Sequence, residues 1–272
     1  MNTKGQGTAL ITGASSGIGA VYADRLAHRG HDLILVARDR QRLDTLAIRL
    51  REEAGRSVEV VAADLNDKAD LLRVERLLRT DARIAVLVNN AGIAMSGDLA
   101  SADPDHLESM IRLNVLAPSR LALAAIPGFV TRGRGTLINI SSVLALAPER
   151  FNGSYSGTKA YLLNLSLRLH QEVARKGVRV QVVLPGATRT SIWEKAGTDI
   201  ASLPPAIVMD VDDMVDAALS GLDLGETVTI LSLPDPSQWE RYEAARQSMI
   251  PSLSLSSPAA RYGIAHRLSN RT

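Results

Sequence analysis

The feature that most narrows the fold of this chain is a repeated alternation. Seven short apolar runs, at 9–12, 33–37, 58–63, 84–89, 137–140, 178–184 and 228–231, are separated by longer segments that repeat at helical period. The runs show little polar alternation, the pattern of strands covered on both faces. Between the second and third runs, Leu43, Leu46, Ala47 and Leu50 fall at i, i+3, i+4 and i+7, and Gly55 follows as a stop signal. Gly30 and Gly177 are placed to end the helices before the second and sixth runs, and Asp210 to start one over 211–222. Strands alternating with helices predict an α/β domain built on a doubly wound, seven-stranded parallel sheet over residues 1–232.

Two stretches break the pattern. Residues 187–209 carry Trp193 and two prolines with mixed polarity, and are read as a substrate lid. Trp193 is either a substrate contact or a structural anchor of that lid. Residues 233–272 form a C-terminal extension, with a short helix near 239–249 and a Ser/Pro segment at 251–258. That extension packs on the same domain, mediates subunit contacts or is partly disordered.

Composition removes several function classes. The chain has no cysteine, which excludes thiol catalysis and cysteine-ligated metals, and suits a reducing cytoplasm. Its net charge of +2 and 3% aromatic residues argue against a nucleic-acid partner. The five histidines show no metal-binding spacing, so no metal is expected, and His170 is read as a surface or interface residue. No uninterrupted apolar run approaches the ~18–20 residues of a membrane span, and the N-terminus does not read as a signal peptide. A cytoplasmic location with no membrane contact is expected.

Chemistry concentrates at the ends of the runs. Thr12-Gly13-Ala14-Ser15-Ser16-Gly17-Ile18-Gly19 joins the first run to the first helix. Glycines let the backbone approach a pyrophosphate, and a helix N-terminus offers free N–H groups and a positive dipole end. Tyr155 and Lys159, at i and i+4, share one helix face. Ser142 ends the fifth run, where α/β sheets place their sites.

Together these residues resemble the short-chain dehydrogenase/reductase family, with its T-G-x-x-x-G-x-G turn and Y-x-x-x-K pair, over roughly residues 7–232. The resemblance implies a Rossmann-type fold. It also implies a catalytic set of Asn114, Ser142, Tyr155 and Lys159. Cofactor contacts are implied at Gly13, Ser15, Ser16, Gly17, Ile18 and Gly19, at Asp64 and Leu65, and at Asn90, Ala91 and Gly92 of the Asn89-Asn90-Ala91-Gly92 element. Pro185, Gly186, Thr188 and Thr190, in a P-G-x-x-x-T stretch, complete them together with Tyr155 and Lys159. By the same analogy Asn114 holds a water that links Lys159 to solvent.

The chemistry can also be argued directly. Hydride transfer to a carbonyl leaves an alkoxide that needs a proton at once. A tyrosine of pKa ~10 needs a shift of about 3 units to exchange protons freely near neutrality. One cation at ~4 Å supplies that at an effective dielectric of ~20, which is the role expected of Lys159, helped by an oxidised nicotinamide. Ser142 would polarise the carbonyl oxygen. Ser141 competes for that role, but the spacing to Tyr155 favours Ser142.

Aligned with the family, Ala37 stands where NAD-dependent members hold an acid on the ribose, and Arg38 follows. Arg38 suits a 2′-phosphate, so NADP(H) is preferred over NAD(H); Asp39 next door is the competing partner for Arg38. The expected activity is a carbonyl reductase or alcohol dehydrogenase acting on an aldehyde, ketone or secondary alcohol. The alternatives are a 3-oxoacyl thioester reductase and a catalytically silent dinucleotide-binding sensor or scaffold. Substrate contacts are expected from 187–209, Met95 and 144–152. A homodimer or homotetramer is expected, with the Ala-rich stretch 117–125 suited to close helix packing.

Overall fold

A computed structural model describes residues 6–98, 100, 102–197 and 199–264. In chain order its elements are β1 (Thr8–Thr12), α1 (Gly17–His28), β2 (Asp32–Ala37), α2 (Arg40–Ala54), β3 (Val58–Ala62), α3 (Lys68–Thr80) and β4 (Ile84–Asn89). They continue with α4 (Pro104–Ile111), α5 (Ala117–Thr131), β5 (Gly135–Ile140), α6 (Gly153–Val173), β6 (Val178–Val183) and β7 (Ala187–Thr188). The last are α7 (Ile192–Lys195), β8 (Val208–Met209), α8 (Val211–Asp223), β9 (Val228–Thr229) and α9 (Ser237–Ser248).

Seven strands form one Rossmann-type sheet in the order β3-β2-β1-β4-β5-β6-β9, every pairing parallel. The seven runs read from the sequence are these seven strands, although the last pairs only through Val228 and Thr229. The strand order reverses between β1 and β4, which opens a crevice at their carboxyl ends.

Both faces of the sheet are buried, which explains why the runs are mainly apolar with little polar alternation. On one face Ile11, Leu33, Leu35 and Val88 meet Tyr22, Leu26, Leu43 and Leu50 of α1 and α2 and Met214 and Leu219 of α8. On the other, Leu10, Ile34, Leu87 and Leu137 meet Val74 of α3, Leu121 and Phe129 of α5 and Leu169 of α6. Each such side chain contributes roughly 1.5–3 kcal/mol by leaving water. A polar seam crosses the second layer near the crevice. The Asn89 amide donates to the Asn139 side-chain oxygen Oδ1 at 2.9 Å, and the Asn139 amide donates to the Ser166 hydroxyl at 2.8 Å, pinning β4, β5 and α6 together.

Three features were not legible beforehand. A second, two-stranded sheet pairs β7 with β8, closing the ends of the 189–207 excursion. A π-helical turn, Arg112–Leu116, joins α4 to α5. The resulting helix, Pro104–Thr131, is long and apolar enough by composition to cross a membrane, but 44% of its most apolar window is buried inside this fold. His170 is also not a simple surface residue. It is half-buried, with Nδ1 3.2 Å from the Thr227 hydroxyl, because α6 packs along β6 beside the turn that carries Thr227.

Residues up to Leu231 form one compact unit and Ser232 begins a second. In the second, Trp239 stacks on Tyr242 within α9, with ring centroids 5.4 Å apart, and short 3₁₀ turns follow at Ile250–Ser252 and Ala260–Tyr262.

Candidate active site

A cavity of about 830 Å³ lies along the carboxyl ends of the central strands. Gly13, Ser15, Ser16, Gly17 and Ile18 form one wall, and Asn90, Ala91 and Gly92 another. The glycines of the first turn are there for closeness. A Cβ on Gly19 would stand 2.3 Å from the Gly13 carbonyl oxygen, so the turn could not fold back on α1. Gly13 and Gly17 adopt left-handed φ of 68° and 53°, which favour glycine. Ser16 caps α1 by position but makes no side-chain cap bond, so the first-turn N–H groups face the cavity wall without that partner. Thr12 stitches the two walls together. Its hydroxyl donates to the Val88 carbonyl at 3.2 Å and accepts the Asn90 and Ala91 N–H groups at 3.0 and 3.1 Å.

At one end the cavity is lined by Ala37, Arg38, Asp39, Arg42, Asp64 and Leu65. Asp39 is not the partner of Arg38. Its carboxylate accepts the Arg42 N–H at 3.0 Å as the cap of α2 and pairs with the Arg42 guanidinium at 3.3 Å. Arg38 is exposed and makes no ion pair among the described residues. Arg42 was missed from the sequence; its signal was the position four residues after Arg38, in the first turn of α2. His106 and Ser109 of α4 line the cavity too and carried no signal at all.

Ser142, Tyr155, Lys159 and Asn114 stand behind the cavity wall, all but closed to solvent. Gly92 marks the junction, since a Cβ there would lie 3.0 Å from Asn114 Oδ1 and 3.7 Å from Lys159 Nζ. Asn114, in the π-helical turn, grips the loop after β4. Its amide donates to the Ile93 carbonyl at 2.8 Å and to the Thr158 hydroxyl at 3.2 Å, and its oxygen accepts the Ile93 N–H at 3.0 Å. Ser142 Oγ accepts the Leu144 N–H at 3.2 Å and donates weakly to the Pro185 carbonyl at 3.4 Å. Ser141 turns the other way, its hydroxyl donating to the Lys159 carbonyl at 2.7 Å. Of the remaining residues, Thr188 donates to the Gly186 carbonyl at 3.2 Å, and Thr190 lines the cavity opposite Gly17.

Lys159 is the anomaly of the site. The residue is 5% exposed, and its ammonium donates to the Ile140 carbonyl at 3.0 Å and has no carboxylate partner among the described residues. It lies over the Tyr155 ring, 5.5 Å from the centroid. Burial brings its pKa down to about 8. Burial also pushes the Tyr155 phenol well above its ordinary range. The ammonium is aimed at a backbone carbonyl and at the ring face, and both groups are stripped of water.

An apolar wall surrounds the phenol. Met95 and Met110 pack beside Tyr155, with Ile93, Leu144 and Phe151 around them. Phe151 meets Tyr155 edge-on at 5.8 Å and Trp193 edge-on at 6.1 Å. The Trp193 indole donates to the Thr188 carbonyl at 2.8 Å, anchoring it within its own segment.

Comparison with known proteins agrees with this geometry. A family model described as short chain dehydrogenase matches residues 7–201. A short-chain dehydrogenase from Sphingobium yanoikuyae, solved in complex with NADPH, superposes with a TM-score of 0.92 at 51% identity, covering 94% of this chain and 99% of that one. A bulky-bulky ketone specific alcohol dehydrogenase from Comamonas testosteroni superposes with a TM-score of 0.88 at 44% identity, covering 95% and 99%. A very-long-chain 3-oxoacyl-CoA reductase of Anas platyrhynchos is 35% identical over 197 residues, which is 70% of this chain but only 63% of that protein. With the motif turn, the parallel sheet and the Tyr155–Lys159 pair all in place, the chain belongs to the short-chain dehydrogenase family.

Proposed function

We propose that this protein is an NADP(H)-dependent reductase of ketones carrying two bulky substituents, with Tyr155 as the proton donor. The observation that carries the proposal is Lys159, a buried ammonium with no acidic partner among the described residues, set against a buried phenol. Keeping an unpaired charge out of water is costly, and such groups cluster at functional sites.

The cavity fits a dinucleotide. About 830 Å³ is within the range of cofactor sites, the first turn of α1, which has no side-chain cap bond from Ser16, suits a pyrophosphate, and Arg38, which has no ion pair among the described residues, suits a 2′-phosphate with Arg42 beside it. The bound cofactor supplies the hydride. This chain supplies the rest. Ser142 polarises the carbonyl oxygen, and the phenol of Tyr155 protonates the alkoxide. A raised pKa keeps Tyr155 protonated at neutral pH, and an alkoxide is a far stronger base than a phenolate, so the proton moves downhill. The phenolate left behind is stabilised by the Lys159 ammonium and is reprotonated before the next turnover.

The apolar wall of Met95, Met110, Leu144 and Phe151 supports a bulky ketone, as does the likeness to the Comamonas enzyme. The likeness to a 3-oxoacyl-CoA reductase supports a second reading, a 3-oxoacyl thioester substrate. The test is NADPH oxidation across diaryl and aryl-alkyl ketones, small aldehydes and 3-oxoacyl thioesters, with NADH alongside. Diaryl ketones are expected to be the best substrates. Turnover confined to thioesters selects the second reading, and NADPH binding with no turnover on any arm selects a silent scaffold. Tyr155→Phe is expected to lose at least a hundredfold in kcat while still binding NADPH. We assign the enzyme to the cytoplasm as a homo-oligomer. The exposed apolar face of Ile111, Leu116, Leu123 and Tyr161 is proposed as the subunit contact, tested by sedimentation of Leu123→Glu.

A further inference from the structure

The residue that starts the helix of Tyr155 does more than cap it. Asn152 is 7% exposed, and its side chain makes two bonds in opposite senses. Its oxygen accepts the Tyr155 N–H at 3.1 Å, and its amide donates to the Gly97 carbonyl at 2.8 Å. Its own carbonyl takes both the N–H and the hydroxyl of Ser156, each at 3.0 Å. One residue before Gly97, the Ser96 hydroxyl donates to the Ala196 carbonyl, at the end of α7. The bonds form a series from the catalytic helix, through the loop after β4, to the segment that carries Trp193.

Capping alone does not call for asparagine. Asp and Ser cap helices equally well. Asp has no donor for Gly97, and Ser offers one oxygen on a shorter side chain where Asn reaches its two partners with two separate atoms, Oδ1 and Nδ2. The choice makes sense if both ends matter. The segment it reaches is tied at a second point, where Trp193 meets Phe151 edge-on and Phe151 meets Tyr155.

We propose that Asn152 is a positioning residue that holds the 192–197 segment in register with Tyr155 through Gly97 and Ser96, and that this register sets affinity for the carbonyl substrate rather than the rate of proton transfer. The claim about affinity rests on the reductase reading; the claim about register does not.

The experiment uses a Trp239→Phe background, in which Trp193 is the single tryptophan. Asn152→Asp keeps the cap on Tyr155 and loses the bond to Gly97. Its Trp193 emission is expected to shift to the red, and its ketone KM to rise about five- to tenfold, the size of one neutral hydrogen bond, with kcat within about twofold of the parent. Ser96→Ala, which leaves α6 untouched, is expected to move emission and KM the same way. Because the bonds act in series, the double variant is expected to be no worse than Asn152→Asp alone. Asn152→Ala removes the cap as well and is expected to lower kcat too. Parental Trp193 emission in both single variants overturns the register, as does a double variant whose effects multiply. A fall in kcat with KM unchanged in Asn152→Asp overturns the assignment to affinity. A parent that turns over no carbonyl refutes the reductase reading instead, and the emission shifts still decide the register.

Discussion

Lys159 offers a test of the site that needs no substrate. Burial lowers its pKa from 10.5 to about 8, which is worth about 3 kcal/mol against the folded state while the group is charged in both states. The sign follows from proton counts. Below pH 8 folded and unfolded chains both hold the proton, and the full cost is present. Between pH 8 and 10.5 the unfolded chain binds more protons than the folded one, so stability rises with pH. Lys159→Met removes the charge but leaves the Ile140 carbonyl without its donor, at about 1–2 kcal/mol. The net gain at pH 7 is about 1–2 kcal/mol, or about 2–4 °C in Tm for a chain of 272 residues. Thermal melts by circular dichroism at half-unit steps from pH 7 to 9.5 provide the measurement. The parent should gain stability across that window and Lys159→Met should not, so the gap closes as pH rises. Above pH 10 the trend reverses for both, because the buried phenols of Tyr22 and, with it, Tyr155 hold their protons longer in the folded chain. A variant that melts below the parent at pH 7, or a gap independent of pH, refutes the description of Lys159 as a buried, unpaired charge.

Other outcomes follow from single observations. Arg38→Ala should raise the KM for NADPH about tenfold or more and leave that for NADH nearly unchanged, since a charge-assisted pair to a phosphate is worth about 1.5–3 kcal/mol; equal effects on both cofactors would remove Arg38 from the 2′-phosphate site. Tyr22 is fully buried with no partner for its hydroxyl among the described residues, so Tyr22→Phe should raise stability to urea by about 1 kcal/mol, and a loss would reveal a hidden bond. Gly19→Ala should cost about 1–3 kcal/mol and weaken NADPH binding at least tenfold by titration, because the added carbon displaces the Gly13 carbonyl; unchanged binding would show that the turn can shift freely.

What was legible in the sequence was whatever depends on local pattern. Strands such as Leu33 to Val36 and Ile84 to Val88 show themselves because both faces are covered and no polar residue interrupts them. The glycine turn and the Tyr155–Lys159 pair show themselves because backbone approach and helix periodicity fix their spacing. What was hidden depends on rotamers and on partners far along the chain. Helical spacing places Lys159 near Tyr155 but cannot say that its ammonium turns to Ile140, nineteen residues earlier. Nor can it say that Asp39 is consumed by Arg42, which frees Arg38. The π-helical turn holding Asn114 has no composition of its own, and strands as short as β7 and β8 leave no periodicity to read.

That small second sheet has an evolutionary consequence. Because Ala187 and Thr188 are laced to Val208 and Met209, both ends of the intervening nineteen residues are moored at one place. Chain length and side chains between those moorings can change while the hydride-transfer machinery stays put, since lengthening a closed loop costs little. Such an excursion can serve as an interchangeable cassette, through which one scaffold is refitted for substrates of different shape.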